Sequence, residues 1–168
     1  MRVAIVVLAT LLIAATAGAE AKLPAAGLRA LPRVAIELAL APELAELEVD
    51  LEQRMERALR EHPAAPALDG GSPHKLRLIA MVRAQGASEL RGFWLPFSGT
   101  YAIGYVRLEV ERPVTLPAPA PSTAVPAIAW QAERPIARPW RQAEAAIGEA
   151  VEELIATFLE DYRRARGP

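Results

Sequence analysis

Between Pro139 and Ala165 apolar side chains recur at Trp140, Ala143, Ile147, Ala150, Val151, Leu154, Ile155, Phe158, Leu159 and Tyr162. Steps of three and four residues predict one long helix with a broad buried face. Pro139 suits a first helical turn, where its missing N–H is no loss. Acids (Glu144, Glu149, Glu152, Glu153) crowd the first half of this run and Arg163, Arg164 and Arg166 close it, so the charges oppose the helix dipole. Such a rod, roughly 40 Å long, is stable only if another element covers its stripe. A second helical pattern starts at Pro42, with Leu44, Leu47, Leu51, Met55 and Leu59 as its stripe, and ends near His62-Pro63. Asp50–Arg54 and Glu56–Arg60 have the spacing of stabilising i,i+4 pairs.

Three stretches alternate instead with a period of two, the signature of half-buried strands. In Arg33–Ala41 the inward set is Val34, Ile36, Leu38 and Leu40. In Lys75–Ala84 it is Leu76, Leu78, Ala80 and Val82, and in Thr100–Arg112 it is Ala102, Gly104, Val106, Leu108 and Val110. Pro113 is expected to end the third strand, because proline cannot donate to a ladder. Residues 113–126 include five prolines and predict an extended arm, followed by a short edge strand at Ile128–Ala132. Pro63–Pro73 reads as a loop, and Glu20–Leu31 as a flexible lead.

The order is therefore β-α-β-β-(β)-α, and the fold class is α+β. We expect a two-layer sandwich in which a mixed sheet of three to four strands carries both helices on one face. A strand–helix–strand crossover makes the first two strands parallel if they are neighbours, and the next two form a hairpin. The reverse face is then left open. It carries Ile79, Met81, Tyr101, Ile103 and Tyr105, bordered by Glu37, Arg77, Arg83 and Arg107. An apolar patch with a charged rim is a docking surface unless the chain itself covers it, and the proline-rich arm or the Phe93–Phe97 segment is the candidate cover. Phe93, Trp94 and Phe97 lie between Gly92 and Gly99, and either close one end of the core or form a tip that inserts into a partner.

Composition adds the location. Arg2, the apolar run Val3–Ala15 and the small residues Ala17-Gly18-Ala19 have the layout of a secretory signal peptide cleaved near Ala19. This thirteen-residue run falls short of the roughly 20 residues that span a bilayer, so no transmembrane anchor is expected after cleavage. With no cysteine in the chain, disulfides and a cysteine-linked lipid anchor are excluded. The remaining length, about 150 residues, suits one domain with its own core. A formal net charge of −1 offers no electrostatic case for nucleic acid or an anionic membrane.

Catalytic patterns are sparse. His62 and His74 lack metal-type spacing, and Ser72, Ser88, Ser98 and Ser122 fall in expected loops with no Gly-x-Ser-x-Gly elbow. Gly70-Gly71-Ser72 lacks the lysine of a phosphate-cradling loop. Glu37, Glu109 and Glu111 alternate with arginines across predicted strands and read as cross-strand ion pairs. No cofactor, metal or catalytic residue is expected. A carboxylate-based hydrolase, built on Glu109 or the histidines, is the least favoured reading.

The ending Trp140…Ile147…Leu154-Ile155…Phe158-Leu159…Asp161-Tyr162, after the Gly99…Tyr101…Ile103-Gly104 strand, resembles small exported bacterial proteins of unknown function. The element order is also similar to accessory α/β envelope domains of the Tol and curli-secretion kind. The signal-type start together with the open sheet face, the aromatic loop and the proline arm predicts a periplasmic or secreted domain that contacts an envelope protein. The alternative is a carrier of a small apolar ligand or lipid, held between the sheet and the long helix or under the aromatic loop. The resemblance itself carries no functional motif. It implies no site residues.

Overall fold

The computed structural model describes residues 25–86, 99–115 and 124–167. Five strands form one mixed sheet: β1 (Arg33–Leu40), β2 (Ala67–Leu68), β3 (Lys75–Gly86), β4 (Thr100–Thr115) and β5 (Ala124–Pro139), in the spatial order β2-β1-β3-β4-β5. The helices are α1 (Glu48–Glu61) and α2 (Ala143–Arg166). β1 runs parallel to β3, and β3, β4 and β5 follow as an antiparallel meander. The expected crossover and hairpin are both present, and the class is α+β.

The alternation read from the sequence fixes which residues meet. Leu78 stands opposite both Leu38 and Leu108, and Ala80 opposite Leu40 and Val106. These inward sets form one cluster with Leu51, Met55 and Leu59 of α1 and Ile147, Val151, Leu154 and Phe158 of α2. The two helices also touch each other, and Arg54 bridges Asp50 at 2.6 Å and Glu152 of α2 at 3.1 Å. Both rods therefore roof the same face. Each large side chain sealed between the layers contributes about 1.5–3 kcal/mol.

One end of the core carries a polar anchor. Trp130, fully buried, donates its indole N–H to Asp161 at 3.0 Å and lies edge-on to Phe158. Phe158 stacks on Tyr162, whose hydroxyl donates to the Leu31 carbonyl at 2.7 Å. Asp161 is 1% exposed, and Arg164 reaches it at 3.0 Å, so the buried carboxylate is both neutralised and hydrogen-bonded.

Four expectations need correction. The sheet has five strands, because Ala67–Leu68 inside the expected loop pairs with Arg33 and Val34 of β1. The short strand expected at Ile128–Ala132 is a sixteen-residue edge strand. Pro113 does not end its strand: β4 continues to Thr115, with Pro113 opposite Pro126. Neither proline can donate, so the pair sits where the two strands exchange no bonds, and β3, whose pairing begins at Lys75 opposite Glu111, does not reach Pro113. Finally, residues 25–28 of the expected flexible lead form a 3-10 turn, and Leu28 and Leu31 are 0% and 1% exposed in the core.

Smaller shifts concern the helix starts. Pro42–Leu47 and Trp140–Gln142 are 3-10 turns leading into α1 and α2. Pro139 is the last residue of β5 rather than the first of the helix. Both expected i,i+4 pairs are made, Arg54–Asp50 at 2.6 Å and Arg60–Glu56 at 2.8 Å. Residues 116–123 of the proline-rich arm lie outside the described residues.

Candidate interaction surface

The face of the sheet turned away from the helices is set by the same register and divides into two halves. The lower half is ionic. Lys75 contacts Glu37 at 2.5 Å, Arg77 approaches the other oxygen of Glu37 at 3.3 Å, and Arg77 also faces Glu109 at 4.0 Å and Glu111 at 3.9 Å. These are the cross-strand pairs that the alternation of charges predicts. The buried Nε of Arg77 has no hydrogen bond of good geometry. Next to them Arg107 grips Glu133 of β5 through two nitrogens, at 2.8 and 2.5 Å.

The acids in this half are not equivalent. The hydrogen bond from Lys75 holds the Glu37 carboxyl below its ordinary value, and the same contact raises Lys75. Glu109 is only 4% exposed, and burial pushes its carboxyl up against the opposing pull of Arg77 and Arg107. His74, just before β3, is held below its ordinary value by burial and by nearby Arg112. Its Nδ1 is buried without a hydrogen-bond partner.

The upper half is apolar. Met81 lies opposite Tyr105, which lies opposite Pro135; Arg83 lies opposite Ile103, which lies opposite Ala137. Met81 is 37% exposed, whereas Ile79, Ile103 and Tyr105 are half-buried by their cross-strand neighbours. The Arg107 guanidinium lies 5.1 Å from the centre of the Tyr105 ring and separates the two halves.

Of the residues singled out from sequence, Ile79, Met81, Ile103 and Tyr105 come together here. Tyr101 does not join them as an open contact. Its register, opposite Gln85 and Pro139, puts it on this face, yet it is 5% exposed and stands outside the main core cluster. The chain leaves β5 through the Trp140–Gln142 turn, which packs beside β4. Phe93, Trp94 and Phe97 lie outside the described residues. Sequence reasoning missed Pro135 and Ala137, which complete the patch, because β5 beyond Ala132 was not recognised as a strand.

Gly104 shows how closely β3 and β4 approach beneath the patch. A Cβ there would lie 1.9 Å from the Met81 carbonyl oxygen and 2.7 Å from the Val82 Cα. Only glycine fits without moving backbone.

Elsewhere, a groove of about 160 Å³ between β5 and α2 is lined by Arg134, Ile136, Arg138, Glu149, Ala150 and Glu153. Its charged walls suit a polar contact rather than an acyl chain. Among the described residues no group of three or more His, Asp or Glu side chains is placed to hold a metal ion. No described helix is long and apolar enough to cross a membrane. No protein-family model matches the chain, and no curated protein is significantly similar to it.

Proposed function

We propose that the chain is an exported, non-catalytic binding or adaptor domain of the bacterial envelope, docking a protein partner on the upper half of its open sheet face. The observation that carries this reading is the patch Ile79, Met81, Ile103 and Tyr105, which neither helix covers, with Met81 37% exposed and arginines at its margins. Apolar area rimmed by charge is the composition of a protein-binding patch. Export rests on the signal-type layout of residues 1–19.

A photo-crosslinking residue placed at Met81 in cells tests this directly. A discrete adduct is expected at Met81, lost when Ile103→Ser and Tyr105→Ser are combined while the circular dichroism stays native. Equal labelling from Val49 on the far helix, or no adduct from Met81, overturns the proposal.

A further inference from the structure

The sheet has two edges, and they differ in how strand addition is resisted. On β5 the prolines at 126, 135 and 139 face Pro113, Tyr105 and Tyr101 of β4. Pro135 and Pro139 are four residues apart. The register shift beside Glu111, which leaves Ala129 without a partner, brings Pro126 into the same class. Their nitrogens turn to the outer edge, so three donors that an incoming strand needs are missing.

The opposite edge lacks such protection. β2 pairs only with Arg33 and Val34, and the last bond on that side runs from the Asp69 N–H to the Val34 carbonyl at 2.9 Å. The N–H groups of Ala35 and Ala41 donate to the His74 and Ala80 carbonyls of the β3 side, at 2.9 and 2.8 Å. Odd residues of β1 thus bond to β3, and Ile36, Leu38 and Leu40 direct their backbone groups outward. Among the described residues no strand meets them. The stretch has no proline, its side chains at 36, 38 and 40 are only half-buried, and its one charge, Glu37, is held by Lys75 and Arg77.

We propose that this edge is a self-association surface, on which β1 pairs antiparallel with β1 of a second copy about a two-fold axis. Geometry selects the register. Centring on Glu37 would set two carboxylates face to face, which is unfavourable. Centring on Leu38 would bring Ala41 beside the partner's Ala35, the place that the partner's Asp69 already occupies next to its own β1. Centring on Ala39 avoids both. Leu38 then exchanges bonds with the partner's Leu40, and Leu40 with the partner's Leu38. Glu37 faces the partner's Ala41, and the two Ala39 residues form the closely spaced pair on the axis. A second copy pairs the backbone groups of Leu38 and Leu40, while Ile36 lies opposite the partner's Pro42, which has no N–H to donate, and Glu37 stays held by Lys75 and Arg77 of its own copy.

The absence of cysteine makes the test clean. In that register the Cα atoms at position 39 lie about 4.5 Å apart, within disulfide reach. Ala35, on the same strand and face, lies beyond the paired segment. Sedimentation of the full chain is expected to show a dimer. Ala39→Cys is expected to form an intermolecular disulfide under mild oxidation about tenfold faster than Ala35→Cys. Ala39→Lys, which sets like charges on the axis, is expected to shift the chain to monomer with a native circular dichroism spectrum. A monomer at the highest soluble concentration overturns the proposal. So does a dimer that Ala39→Lys leaves intact, or one in which both cysteine variants couple at the same rate.

Discussion

The two faces of the sheet are made by the same strands, and alternate residues of β3 and β4 serve each. On one side Leu76, Leu78, Ala80 and Val82 meet Val106, Leu108 and Val110 under two helices and are fully buried. On the other, Arg77, Ile79 and Met81 meet Glu109, Arg107 and Tyr105, and what order exists comes from charge pairs and a ring under a guanidinium. The difference teaches where cohesion resides. The roofed face gains from apolar area removed from water, while half-exposed ion pairs contribute little net free energy. The open face therefore holds less of the fold's stability than the roofed one.

Removing the roofed face's anchor is the most direct way to break that comparison. Trp130→Ala deletes a fully buried ring and leaves Asp161 without the indole donor. We expect a loss of about 3–5 kcal/mol in denaturant unfolding, with cavity and lost donor acting together.

The open face sets the smaller scale. A double-mutant cycle of Arg107→Ala and Glu133→Ala is expected to yield a coupling of about 0.5–1 kcal/mol, since these side chains are 30% and 38% exposed. A coupling as large as the loss at Trp130 would show that both faces hold the fold.

The finest test separates two acids of the same face by pH. The Glu37 carboxyl is lowered from the ordinary 4.5, so its contribution is present above 4.5 and disappears as pH falls through the folded value. Glu109 is raised from 4.5, so the folded state holds that proton more tightly, and stability declines as pH rises from 4.5 through the folded value. At neutral pH, Glu37→Gln is expected to lower stability by a few tenths of a kcal/mol, while Glu109→Gln leaves it unchanged or slightly higher. Unfolding curves at pH 7 and pH 4 check both signs.

Much of this was legible in the chain because periodicity is a local property. The inward sets of β1, β3 and β4, both helix stripes, the two i,i+4 pairs and the ionic rows of the open face all follow from spacing alone. Four features did not, each for a physical reason. Ala67–Leu68 is too short to show a period. β5 is masked by its prolines, which punctuate a strand in sequence yet fit an outer edge in space. Leu28 and Leu31 lie in a lead with no pattern and are buried because the Trp130–Tyr162 end of the core accepts them. Tyr101 keeps the period of an open-face residue and is nonetheless 5% exposed, a burial that spacing along the strand does not encode.

The sequence by itself determined the α+β class, the identity of each strand's buried side and the covering of that side by two amphipathic rods, because alternation and 3.6-residue spacing act within a few residues. Tertiary structure alone decided which strands lie at the edges, where the buried Asp161 finds its partners and which open-face residues stay accessible. Those outcomes depend on groups far apart in the chain meeting in space, and no local pattern encodes such meetings.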